Sequence, residues 1–302
     1  VLGLEKVLYD PDHQPYAPEG RIFRVLLSLA ALMRSVVALL AIKTSAVLVG
    51  LPLAPLLILI PMPRRVANSL LQAVPDLAMG LLVSWLLLRF AHATKLRELG
   101  LNWDRKVARE TLIAFVGGAI ALAMTVVPLL AMGMGSFEAV DMRVKTGQGM
   151  VIVLALVLIS AFAEEVILRG YVFQTLAYPM HLLGALVLTS GAFAALHLRN
   201  PGANEYTMAN TFLAGCVLGL LLVWRRSIWV VSGAHFGWNL ATMLLGLNVS
   251  GGTLQIVPYR ILWSTGTVWT GGNYGPEGSV VCMVLLSLLL LVLVRLHYHR
   301  EA

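Results

Sequence analysis

Long apolar runs separated by short polar breaks dominate the chain, and their length decides which elements they form. A helix rises about 1.5 Å per residue, so crossing roughly 30 Å of hydrocarbon takes about 20 mostly apolar residues. Eight runs meet that requirement, at about 44–62, 69–90, 110–132, 149–175, 182–198, 207–224, 228–248 and 279–296. The stretch 22–42 (RIFRVLLSLAALMRSVVALLA) is also long enough, but Arg24 and Arg34 interrupt it. It is expected to be an amphipathic helix lying on the interface, with a ninth span as the alternative. The predicted fold is an all-α membrane protein, a polytopic bundle of about eight transmembrane helices with an N-terminal amphipathic helix.

This pattern divides the chain into an N-terminal polar segment and interfacial helix, 1–43, and a transmembrane domain, 44–302, whose candidate core is about 149–248. The first twenty residues (VLGLEKVLYDPDHQPYAPEG) are polar and contain proline, unlike a secretory leader with a basic start and an apolar centre. Connections are short except for 91–109, 133–148 and 249–278. The last of these is rich in Gly, Trp and Tyr, which suits a structured loop at the headgroup level; a plain connector and a lid both fit it.

Composition sharpens the class. Of 302 residues, 59% are apolar and only 12% charged, and the mean hydropathy is +0.83, more than a soluble domain needs. Lys and Arg number 22 against 15 acids, a net charge of +7. In a membrane protein such an excess reports orientation and not nucleic-acid binding. Lys95, Arg97, Arg105, Lys106, Arg109, Arg225, Arg226, Arg295 and Arg300 fall on the side of the termini; Arg64, Arg65, Arg143, Lys145, Arg199 and Arg260 fall opposite. Cytoplasmic termini are therefore expected. Cys216 and Cys282 both lie in apolar runs, which suggests neither a disulfide framework nor a cysteine zinc site.

Ionisable groups within a span are costly, so a cluster of them points to function. The fourth run holds one, SAFAEEVILRGYVFQ, with Glu164, Glu165 and Arg169. Residues four apart lie about 40° apart around a helix and those five apart about 140°. Arg169 is thus expected to pair with Glu165 as structural support, leaving Glu164 for chemistry. The fifth run ends GAFAALHLRN with His197, and the seventh carries SGAHFGWNL, where His235 and Asn239 share a helix face. With a hairpin turning at Tyr178–Met180, the rise per residue puts Glu164 roughly 21 Å and His197 roughly 25 Å from the turn. With a second turn near Arg226, His235 and Asn239 lie roughly 14 and 20 Å below the same face. All four fall in one layer.

A carboxylate in apolar surroundings is a stronger base, so Glu164 suits proton abstraction from water, with His197 orienting that water or protonating the leaving amine. His235 and Asn239 can supply donors to a developing oxyanion. Ser160, one turn before the acidic pair, reads better as a helix-contact hydroxyl than as a nucleophile. No cofactor is expected; zinc on Glu164, His197 and His235 is the alternative, without the tight ligand spacing of H-E-x-x-H. A proton-coupled transporter and a noncatalytic scaffold or immunity protein are the competing classes.

The motifs EEVILRG (164–170), FAALH (193–197) and HFGWN (235–239) resemble the three signatures of the CAAX prenyl protease type II and bacteriocin-processing family, also called the abortive-infection family. The resemblance spans roughly 149–240. It implies an intramembrane protease in which the first glutamate and first histidine, here Glu164 and His197, activate water. The second histidine and the asparagine, here His235 and Asn239, would form the oxyanion site. It also implies a membrane-anchored peptide or protein as the substrate within a lipid bilayer. The Gly/Trp loop 249–278 is similar to a feature of some bacterial members, which implies a bacterial inner membrane.

Overall fold

The computed structural model describes residues 21–58, 64–92, 94–142 and 146–301. The polar segment 1–20, and with it the start of the expected N-terminal unit, lies outside the described residues, as do Arg143 and Lys145. The protein is a helical membrane bundle. Its principal helices are α1 (Arg21–Ile58), α2 (Arg64–Ala91), α3 (Arg105–Ala131), α4 (Gly147–Glu165), α5 (Phe173–His197), α6 (Glu205–Arg225), α7 (Ile228–Leu244) and α9 (Val280–Glu301); a short α8 (Thr267–Thr270) precedes the last. Among the described residues, seven helical stretches are long and apolar enough to cross a membrane. The seventh apolar run of the sequence forms α7, which with 17 residues measures about 26 Å and falls just short of the hydrocarbon thickness.

The boundary expected at residue 43 is not an element boundary. Among the described residues, 22–42 and the first predicted span as far as Ile58 lie in one continuous helix of 38 residues, within which Val25–Pro55 is long and apolar enough to cross a membrane. Two physical reasons account for this. Lys43, which interrupts the apolar pattern, is neutralised by Asp76 of α2 at 2.6 Å. Moreover, α1 hides small or polar residues (Ala31, Ser35, Ala38, Ala46) and exposes large apolar ones (Leu29, Met33, Val37, Leu40, Leu48). That inversion is how a helix packs against protein on one side and lipid on the other.

Two of the long connections are joined. β1 (Gly135–Ala139) and β2 (Tyr259–Trp263) pair antiparallel, with Phe137 opposite Ile261 and Glu138 opposite Arg260. The pairing escapes a one-dimensional reading because each strand has five residues and the partners are remote in sequence.

The acid-bearing helix sits centrally. Half of the apolar window of Gly147–Ala177 is buried within the protein, against 17% for Val280–His297, which faces lipid. Closest contact with α7 comes from α3, and glycines permit it. A Cβ on Gly237 would overlap Phe115 O, one on Gly118 would overlap Ala234 O, and one on Gly233 would stand 2.7 Å from Thr111 O. Small residues at i and i+4 let two membrane helices approach to backbone contact. The helix that carries His235 and Asn239 is therefore fixed along one side. The reversal between α6 and α7 falls at Arg226, a left-handed residue (φ 57), with the Ser227 side chain capping α7.

Candidate active site

Where α4 ends, the chain does not stop turning but widens into a π-helical segment, Val166–Val172, with a non-helical residue at Gly170 (ψ −116). Insertions of this kind free backbone carbonyls and redirect side chains, and they recur at functional sites. Here the Arg169 carbonyl accepts the Gln174 Nε2 donor at 3.2 Å, and the same amide reaches Leu99 O at 3.1 Å. The wide turn is thus held by a side chain that no motif marked.

Around this turn four ionisable groups converge. Arg169 Nε lies 3.4 Å from Glu165 Oε2, and both side chains are fully buried. The guanidinium also donates through Nη2 to Gly215 O of α6 at 3.2 Å and lies over the Phe193 ring at 4.5 Å. A charge so enclosed persists only with several partners. From α7, His235 Nδ1 approaches Glu165 Oε1 to 2.9 Å, while its Nε2 stands 3.9 Å from Glu164 Oε2. His235 therefore sits between the two carboxylates. Spacing along the sequence puts His235 in one layer with Glu164, His197 and Asn239 but pairs Glu165 with Arg169 alone, because it ranks neighbours along one helix and does not give the partner across helices.

Glu164 differs from its neighbour. Its side chain is 35% exposed, against none for Glu165, so one side chain is partly accessible, although its Oε2 is buried, while the other is committed to Arg169 and His235. The 3.9 Å separation from His235 Nε2 is too long for a direct hydrogen bond, and Glu164 Oε2 is buried without a hydrogen-bond partner among the described residues.

His197 closes α5. Its Nδ1 donates to Phe193 O at 2.8 Å, because a carbonyl can only accept, and this leaves the lone pair on Nε2. Phe193 meets the rings of both histidines edge-on, with centroids 4.7 Å from His197 and 6.1 Å from His235. Thus Phe193, first residue of the FAALH stretch, links the two imidazoles and the guanidinium; its place four residues before His197 was the available signal. Asn239 is buried one turn beyond His235 on α7. Among the described residues, no hydrogen bond or ion pair joins His197 or Asn239 to either glutamate. Nor is any group of three or more His, Cys, Asp or Glu side chains among them arranged to hold a metal ion.

Residues 146–241 match the family model described as Type II CAAX prenyl endopeptidase Rce1-like. The matched stretch is about a third of the chain and contains Glu164, Glu165, Arg169, His197, His235 and Asn239. It is the family that the three motifs resemble. No curated protein matches the chain. With seven helices among the described residues apolar enough to span a bilayer, the chain is an integral membrane protein bearing a stretch of a membrane-protease family.

Proposed function

We propose that a chain whose middle third carries the type II CAAX prenyl endopeptidase pattern is an intramembrane endopeptidase of the glutamate type, cutting membrane-associated peptides or the C-terminal tails of membrane-anchored proteins. The observation that carries this reading is the convergence on His235: an imidazole from α7 set between the carboxylates of Glu164 and Glu165. Helix-packing polar groups need not meet in this way, and a hydrolytic site must.

Glu164 takes a proton from a water as the water oxygen attacks the scissile carbonyl carbon, and the proton passes on to the leaving nitrogen. His197, with its Nε2 lone pair available, orients that water. Glu165 and Arg169 do not react; they hold His235 in one orientation. Two carboxylates and one guanidinium leave an excess negative charge, and a protonated His235 balances it while turning Nε2 into a donor toward the oxyanion. Asn239, on the same helix face one turn on, adds a second donor. In the same proposal α7 crosses as an eighth span, so that both termini share a side and face the cytoplasm of a bacterium, on the loop charges and on the likeness of the Gly/Trp loop to bacterial members.

The test uses the full chain in lipid nanodiscs with two quenched fluorescent peptides, one bearing a prenylated C-terminal tail and one its unmodified counterpart. Glu164→Gln and His197→Ala should each lower kcat by about 10²- to 10⁴-fold, the usual worth of a positioned base, with the protein still folded. Asn239→Ala should cost about 10²-fold or more. Cleavage at the wild-type rate in both the Glu164 and His197 variants would refute the assignment.

A further inference from the structure

The long segment 249–278 lies outside the stretch matched to the protease family, yet it is fastened to both sides of the candidate site. On one side it meets the loop that follows His197. A Cβ on Gly251 (φ 79) would overlap Pro201 O, and one on Gly202 (φ 81) would stand 3.3 Å from Tyr274 N. Gly251 N also donates to Tyr274 O at 2.8 Å, so this part of the segment is internally tied. On the other side it meets α7. Tyr259 donates its hydroxyl to Leu244 O at 2.8 Å, and the Trp238 indole donates Nε1 to Glu277 Oε1 at 3.0 Å.

Glu277 is the knot of this strap. While Oε1 accepts from Trp238, Oε2 accepts from the backbone and hydroxyl of Ser250, at 2.8 and 2.7 Å. Its own carbonyl accepts from Asn210 Nδ2 of α6 at 2.7 Å. One half-buried residue therefore joins α6, α7 and both ends of the segment. Trp238 stands directly before Asn239 and three residues after His235. A shift at Trp238 is a shift of both proposed oxyanion donors.

We propose that Glu277 is a positioning residue for the His235–Asn239 pair, acting through the Trp238 indole, and that the segment 249–278 is a strap setting α7 against the loop after His197. The role rests on the proteolytic reading of the site. Glu277 touches no reacting atom. Its carboxylate fixes the rotation and height of α7 from a flank that adjoins the one held by the glycine contacts with α3.

A double-mutant cycle in nanodiscs tests this, with the prenylated quenched peptide as the probe. Glu277→Ala should lower kcat about tenfold or more while KM moves less than about twofold, since donors made only for the transition state are misplaced while ground-state binding persists. Trp238→Phe should reproduce most of that loss, and Trp238→Phe/Glu277→Ala should be no worse than Glu277→Ala alone. Wild-type kcat in Glu277→Ala, or losses that multiply in the double variant, would overturn the proposal. Hydrogen exchange supplies a readout independent of cleavage and usable on the milder Glu277→Gln if alanine does not fold. Exchange should rise about tenfold in residues 239–246 and 198–204 while residues 150–163 stay unchanged. A uniform rise means a generally weakened fold and sinks the positioning role; an inactive wild type sinks the protease reading and leaves this readout to stand or fall alone.

Discussion

His235 Nδ1 stands 2.9 Å from Glu165 Oε1, and Glu165 is itself clamped by Arg169, so a histidine on α7 takes its orientation from a carboxylate at the end of α4. The contact converts two helices that share few polar groups into one site. It also makes Glu165 and Arg169 a fully buried pair whose halves are unequal to lose.

Arg169→Met leaves Glu165 buried without its guanidinium, and such a break costs about 3–5 kcal/mol. The double variant Glu165→Gln/Arg169→Met removes both charges and should recover part of that loss. Unfolding in detergent micelles measures both. A single variant as stable as the wild type would mean that the pair does not hold the turn.

Phe193→Leu keeps an apolar side chain but removes the ring over which Arg169 lies and against which both imidazoles rest. A stability loss of about 1–2 kcal/mol is expected, combining the cation–π contact with the smaller volume. Turnover should fall further than the folded fraction does, and parallel melting and cleavage assays separate the two.

Glycines along α3 and α7 give a sharper contrast. Gly237→Ala places a methyl group into Phe115 O and should cost about 1–3 kcal/mol, with cleavage impaired because α7 is displaced. Gly117→Ala, on α3 with nothing within 4 Å of the place its methyl group would take, should be neutral or slightly stabilising. Melting temperatures of the two variants check the pair.

Tyr274 reports the integrity of the strap. Burial, and next the Glu277 carboxylate beside it, pushes the phenol up from 10.0 to about 12. Its hydroxyl lies near Asn200, Ser250 and Thr211 without hydrogen-bonding geometry to any. Because the folded value is raised, the associated stability is complete below about pH 10 and is lost as pH rises toward about 12. The near-ultraviolet difference between wild type and Tyr274→Phe should show this phenol ionising at about 12 and not at the ordinary 10.0. Ionisation at the ordinary value would mean that the strap is open in solution.

The bundle and the candidate site residues stand out in one dimension for a common reason. A bilayer demands apolar runs of a set length and penalises every ionisable group inside them, so spans and their exceptions stand out in the letters alone. Glu164, Glu165, Arg169, His197 and His235 surface in this way as candidates, and Asn239 through the helix face it shares with His235. Partners do not. That Lys43 meets Asp76 and lets α1 run unbroken, that His235 turns to Glu165, that β1 finds β2, and that Phe193 stands among three charged or ring groups all depend on how helices rotate against one another. Spacing along a helix determines which side chains share its face; only packing, governed here by glycine contacts and the widened turn after Glu165, decides what that face meets.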